Sequence, residues 1–260
     1  MSGAAGVPIL MYHSVRDDAP PETAPLAVSP GAFRDQMAVL EDRGFTPLPL
    51  SAVEAGVEAV KPVVITFDDG YADLHSRALP ILTDFGFPAT VFVTTGWLDD
   101  AGPDAAGRPL DAMLTWAHVA EVTAHGIEVG AHSHSHPQLD QLRDGPLHDE
   151  LTRSRLSLED RLQLPVTTMA YPYGYSSERV RRFAADAGYS SGYAVANDVA
   201  ADVSGFAIPR LTVQRTTSLE TFAKIVEGEH PFRKEKALTK GYALVRRSRY
   251  ACGKVLRRES

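Results

Sequence analysis

The sequence predicts an α/β protein built on a parallel β-sheet, either open or closed on itself. Three observations carry that expectation. Eight short apolar, β-branched runs alternate with longer segments of mixed, helix-like polarity. Capping residues open several of the helical segments, and glycines end several of them. The chain of 260 residues is long enough for one sizeable domain, and α/β barrels of this length are single units.

The elements follow in order. Pro8–His13 reads as the first strand, and Asp17 to Ser29, with Pro20, Pro21 and Pro25, reads as a loop. Ser29 before Pro30 opens a helix over Pro30–Asp42, which Gly44 ends. Strands Phe45–Leu48 and Val63–Asp68 come next, then a helix over Ala72–Phe85 stopped by Gly86. Strand Thr90–Val93 leads into an excursion loop, Asp99 to Asp111, rich in Gly, Pro and Asp. Helix Thr115–Ala124, Gly126 and strand Ile127–His132 form the next unit. Helix Pro146–Gln163 and strand Thr167–Tyr171 form another. Ser176-Ser177-Glu178 opens helix Ser176–Ala187, which ends at Gly188. Strands Ser191–Val195 and Ile208–Val213 precede a helix over Ser218–Val226, with Thr217 as its cap. A boundary near Pro231 divides a domain of residues 1–231 from a basic, partly helical tail, 232–260.

Composition narrows the function. Hydrophobic content of 44% is ordinary for a globular protein. The single cysteine, Cys252, excludes an intrachain disulfide framework. No apolar stretch is long enough to span a bilayer, and no N-terminal export signal is visible, so a cytoplasmic location is expected. From Arg233 to Ser260 there are ten Lys/Arg and two Asp/Glu, although the whole chain carries −7. An acidic body with a basic tail suggests either a solvated, partly frayed C-terminal helix or peripheral contact of the tail with anionic lipid at the membrane inner face, with Tyr242, Leu244 and Leu256 among the apolar contributors. No reading motif for nucleic acid accompanies the charge.

The chemistry gathers at strand C-termini, where ligands bind in α/β folds. Val63-Val64-Ile65-Thr66-Phe67 runs into Asp68-Asp69-Gly70. Two adjacent carboxylates at the tip of a buried strand need a cation, a basic partner or a proton. Side chains alternate along a strand, so both acids face one cleft only if the chain turns, which Gly70 permits. A second strand runs into His132-Ser133-His134-Ser135-His136. A continuing strand would align all three histidines. A turn after His132 would instead converge the i, i+4 pair, and Pro137 favours a tight loop there. One Asp and two His make a three-ligand metal site with room for water, leaving the other Asp free as a base. The Glu of the zinc-protease helix motif is absent.

These segments resemble the polysaccharide deacetylase family, carbohydrate esterase family 4, also called the NodB-homology domain. Thr66-Phe67-Asp68-Asp69-Gly70 matches its first motif, His132 to His136 its His-Ser/Thr-x-x-His motif, and Tyr171-Pro172-Tyr173-Gly174 its third. Over roughly residues 7–230 the resemblance implies an incomplete, distorted (β/α)7 barrel. It implies Asp68 as catalytic base, Asp69, His132 and His136 as ligands of a divalent metal, usually zinc, and the Tyr173 backbone amide as an oxyanion donor. The Arg that orients the base in the third motif is missing near Ala170, and Arg210, in Ile208-Pro209-Arg210-Leu211, is one candidate substitute. The late Leu-x-His motif is also missing at Leu211-Thr212-Val213. Leu10-Met11-Tyr12-His13 instead resembles the poly-N-acetylglucosamine deacetylase branch, which implies His13 as general acid. The implied activity is removal of N-acetyl groups from an amino-sugar glycan. O-acetyl ester hydrolysis and a non-catalytic carbohydrate-binding homologue are the alternatives. Trp97, Trp116 and Tyr175 are candidates for a sugar-stacking platform, though each is more often a packing residue.

Overall fold

The computed structural model describes residues 6–229, so the basic tail expected from 232 lies outside the described residues. The strands are β1 (Ile9–Tyr12), β2 (Ser14–Val15), β3 (Ala27–Val28), β4 (Thr46–Pro47), β5 (Pro62–Phe67), β6 (Ala89–Val93), β7 (Ile127–Ala131), β8 (Thr168–Ala170), β9 (Ser191–Val195) and β10 (Ile208–Thr212). The helices are α1 (Pro30–Asp42), α2 (Leu50–Glu54), α3 (Leu79–Phe85), α4 (Trp116–Ala124), α5 (Asp144–Leu162), α6 (Glu178–Asp186) and α7 (Leu219–Val226). None of the described helices is long and apolar enough to cross a membrane.

Seven parallel strands form a closed ring. Its order is β1-β10-β9-β8-β7-β6-β5, and β1 pairs again with β5 to close it. The ring is uneven: β7 and β8 share a single register pair, Ala131↔Met169. The expected strand at Phe45–Leu48 shrinks to β4, which pairs only with the first two residues of β5 and lies outside the ring. The (β/α)7 barrel expectation therefore holds.

Strand parity builds the two cores. Ile9, Val64, Phe92, Ala170, Tyr193 and Ile208 point into the barrel, and Leu50 of α2 joins them. Leu10, Tyr12, Ile65, Phe67, Val91 and Val93 point outward against the helices. Gly130 is required by the same crowding, because a Cβ there would come within 2.6 Å of the Phe92 ring. The inward set continues as Val64, Thr66 and, just past the end of β5, Asp68; as Ile9, Met11 and, just past β1, His13; and as Ile208 and Arg210 on β10. Polar side chains on three strands therefore reach the same rim.

Caps fall close to expectation. The Ser29 hydroxyl accepts from Ala32 N–H at 3.1 Å, and Thr115 forms a capping box with His118. Ser218, not Thr217, caps α7, accepting from Thr221 N–H at 3.1 Å; the Thr217 hydroxyl instead accepts from Gln214 N–H. The helix expected over Ala72–Phe85 begins as a π-helical turn, Leu74–Ala78, before α3. The β2–β3 pair and α2 were not legible, because each is five residues or fewer and shows no period.

Candidate metal centre

The two acids part company through backbone conformation. Asp68 keeps the strand pattern, its N–H donating to the Tyr12 carbonyl at 2.9 Å. Asp69 adopts a left-handed φ of +72°, and Gly70 follows at +89°. The turn thus starts at Asp69, one residue earlier than Gly70 alone would place it. Successive side chains then serve one cleft in different positions. Both carboxylates are buried, with 3% and 5% exposure.

His132 still belongs to the sheet, its N–H donating to the Val93 carbonyl at 2.9 Å. Ser133, at φ +62°, ends the strand, and His136, at φ +59°, completes the turn. The Ser133 hydroxyl accepts from His136 N–H at 3.1 Å. The chain therefore turns after His132, and the i, i+4 pair converges. His134 is not part of that pair: its Nδ1 lies 2.8 Å from the Thr95 hydroxyl. Glu150 of α5 holds the loop from behind. Its carboxylate accepts from His134 N–H at 2.9 Å, Ser135 N–H at 2.8 Å and the Ser135 hydroxyl at 2.5 Å. Sequence reasoning missed Glu150, because nothing in a helical Glu shows which loop it will face.

Asp69, His132 and His136 each offer one ligand atom, and these atoms lie within 4.8 Å of one another. Asp69 Oδ1 is 3.3 Å from His132 Nε2 and 3.2 Å from His136 Nε2. The His132 Nδ1 lies 2.9 Å from the Ala170 carbonyl, which only accepts, so Nδ1 carries the proton and Nε2 presents its lone pair. Asp69 Oδ1 is buried with no well-formed hydrogen bond. A carboxylate oxygen facing imidazole lone pairs is the donor set a divalent cation satisfies, so these residues fit a metal. Burial opposes ionisation of Asp69, but the contacts with His132 and His136 outweigh it and hold the carboxyl well below its usual range. Burial likewise opposes a charge on His132, and the neighbouring Asp68 and Asp69 outweigh it, so the pKa of the ring is raised.

Asp68 stands outside this ligand group. Arg210, fully buried, grips it with both terminal nitrogens, Nη1 donating to Oδ1 at 2.6 Å and Nη2 to Oδ2 at 2.7 Å. Nη1 also donates to the Thr66 hydroxyl at 3.2 Å, and the guanidinium lies 5.2 Å above the Phe92 ring. Burial pushes the Asp68 carboxyl up, the Arg210 charge pulls it down, and the net direction is down. The position near Ala170, where the third motif lacks its Arg, is thus served from two strands away.

The geometry agrees with the comparisons. A family model described as Polysaccharide deacetylase matches residues 56–192, just over half of the chain. The chain belongs to the polysaccharide deacetylase family. Among curated relatives, the Putative polysaccharide deacetylase YxkH of Bacillus subtilis (strain 168) is 29% identical over 231 residues, 86% of this chain and 77% of that one. The Poly-beta-1,6-N-acetyl-D-glucosamine N-deacetylase of Escherichia coli (strain K12) is 29% identical over 141 residues, 49% of this chain but only 20% of that longer protein. Among solved structures, the Streptococcus pyogenes deacetylase PplD in complex with acetate superposes with a TM-score of 0.76 at 27% identity, covering 85% of this chain and 98% of that one. IcaB from Ammonifex degensii, at 20% identity and a TM-score of 0.68, covers 86% of this chain and 97% of that one and shares the fold.

The remaining expected residues of this family member lie around the centre. His13 is placed just past β1, and the charges that act on its ring come from Asp69, Asp68, Arg210 and His132. Its Nδ1 is buried and unpartnered among the described residues. Burial lowers the pKa of the ring, and Asp69 and Asp68 pull the other way without overcoming it. Tyr173 has a left-handed backbone, φ +60°, and its ring centroid is 4.8 Å from that of His136. The sugar-platform expectation needs correction. Trp97 is only 5% exposed and packs on His136 at 4.6 Å, so it braces a ligand instead of offering an open face. Trp116 lies under the Arg161 guanidinium at 5.3 Å, committed to the α4–α5 contact. Tyr173, 52% exposed, is the aromatic that faces solvent beside the centre.

Proposed function

We propose that this deacetylase hydrolyses N-acetyl groups on amino-sugar residues of a glycan. The observation that carries the reading is the division of labour between neighbours: Asp69 joins two histidines, while Asp68 is held by Arg210 outside the ligand group. A divalent ion, zinc by its Asp-His-His donor set, would be held by Asp69, His132 and His136 and would supply Lewis acidity toward the amide carbonyl and water. Asp68, kept ionised and aimed by Arg210, takes the proton of the attacking water. The Tyr173 N–H stabilises the oxyanion that develops as water adds. His13 donates a proton to the departing amine. Its buried ring releases a proton readily once it has gained one, and the carboxylates beside it favour that gain. The products are acetate and a free amino sugar. Two relatives support the reading: the streptococcal structure holds acetate, and the Escherichia coli protein is named for poly-β-1,6-N-acetyl-D-glucosamine.

The test is Asp68→Asn in the full chain. Acetate release from N-acetylglucosamine oligosaccharides is expected to fall at least about 100-fold, as for loss of a general base, with bound zinc unchanged by elemental analysis. Retained activity, or zinc lost along with activity, contradicts the role. An activity confined to acetyl esters would replace the amide reading with the ester one.

A further inference from the structure

We propose that Asp73 is a positioning residue for the reaction, fixing the chain immediately after His13 so that its ring stays in the catalytic cleft. This rests on the general-acid reading of His13. Asp73 is buried, bonds none of Asp69, His132 and His136 among the described residues, and has no part in the mechanism above. Its Oδ2 accepts from the Ser14 hydroxyl at 2.6 Å, and its Oδ1 accepts from Val15 N–H at 2.9 Å. Both partners donate, so an acceptor-only group suits the position.

Two features single this contact out. Asp73 sits at the N-terminal edge of the π-helical turn Leu74–Ala78, where an Asp ordinarily caps the helix. Its side chain makes no capping bond there and reaches across to β2 instead. Single π-helical turns occur frequently at functional sites. The second feature is where His13 lies along the chain. Upstream, the Tyr12 carbonyl is fixed by Asp68 N–H at 2.9 Å. Downstream, Ser14 and Val15 are fixed by Asp73 and by the short pairing with β3, and the Arg16 guanidinium bonds Asp111 at 2.8 Å. His13 is held between these two anchors, and its Nδ1 has no hydrogen-bond partner among the described residues. Position imposed on the backbone therefore decides where the imidazole points.

The experiment compares two probes on the metal-loaded full chain: N-acetylglucosamine oligosaccharides, whose amine must be protonated to leave, and an aryl acetate, whose phenolate leaves unaided. Asp73→Ala is expected to lower kcat on the amide about 10- to 100-fold, the scale of a small misplacement of a catalytic group, with KM, zinc content and aryl acetate kcat nearly unchanged. Asp73→Asn keeps an acceptor for Val15 N–H and should recover part of the loss. Ser14→Ala, a milder cut should Asp73→Ala fold poorly, is expected to show the same amide-selective loss on a smaller scale. In a His13→Ala background, Asp73→Ala should add nothing. Parallel losses on both probes, or additive losses in that background, overturn the proposal and leave Asp73 a structural residue. Unmoved imidazole resonances of His13 in Asp73→Ala overturn the positioning claim alone. An unchanged amide-to-ester ratio in His13→Ala overturns the general-acid reading, and with it the proposal.

Discussion

Replacing Arg210 with Met removes a buried charge at nearly constant volume. In the native protein Arg210 is fully buried, and the Asp68 carboxylate it grips is 3% exposed. The bidentate contacts of 2.6 and 2.7 Å put the two charge centres about 4 Å apart, worth about 4 kcal/mol at an effective dielectric near 20. Breaking such a pair on one side leaves an uncompensated buried charge, which costs about 3–5 kcal/mol. For a domain of this size that lowers Tm by roughly 6–20 °C, at about 2–4 °C per kcal/mol. The pH dependence also changes sign. In the native protein the Asp68 pKa is depressed, so its stabilising contribution is present above the unfolded-state value and lost as pH falls through the folded one. Without Arg210, burial governs and the Asp68 pKa rises. The variant then gains stability relative to wild type as pH falls from neutral toward that raised value. Thermal unfolding followed by circular dichroism across mildly acidic to neutral pH reads both effects. The double variant Asp68→Asn, Arg210→Met should be more stable than Arg210→Met alone, because it buries no unpaired charge. An Arg210→Met protein within about 1 kcal/mol of wild type at neutral pH, the range of an exposed ion pair, refutes the reasoning. So does a double variant no more stable than the single one.

Other expectations are briefer. Glu150→Ala frees the amides of His134 and Ser135 and should weaken zinc affinity about 10- to 100-fold in a chelator competition, the usual scale for residues that support metal ligands. Tyr173→Phe should retain most acetate release, since the proposed donor is a backbone N–H; a loss beyond about tenfold would move the role to the hydroxyl. Chelator should abolish acetate release, and zinc added back at about 100 times its Kd should stabilise the fold by about 2.7 kcal/mol, visible as a higher Tm.

Much of this arrangement was legible in the sequence because period-2 alternation and strand order carry it. Both acids and the run from His132 to His136 fall at strand C-termini, and Arg210 stands in a strand-like run as a candidate partner for Asp68. What sequence leaves open is distance across the ring. Arg210 and Asp68 are separated by 142 positions, and only the closure of β10 onto β1 and of β1 onto β5 brings them together. Glu150 and Asp73 were missed because the packing of the fold, not local pattern, sets their partners, the histidine loop and β2. The Trp97 platform failed because an aromatic after a strand has no sequence mark separating a face turned to solvent from one turned to a ligand.

Backbone strain completes the account of how one strand tip yields two roles. Asp69, Ser133, His136 and Tyr173 are non-glycine residues with positive φ, and each sits at the centre or touches it. Such conformations cost on the order of 1–3 kcal/mol each in sparsely populated regions and persist where surrounding contacts over-determine them. The contacts here are specific. The Ser133 hydroxyl and Glu150 hold the histidine loop, the Asp69 carbonyl accepts from Thr94 N–H, and Gly174 N–H donates to the Tyr171 carbonyl beneath Tyr173. Had Asp69 stayed extended, alternation would have sent its carboxylate outward into the helix-facing core beside Phe67, away from both imidazoles. The left-handed turn at Asp69 is therefore the feature that sends one of two adjacent carboxylates to the imidazoles and leaves the other with Arg210.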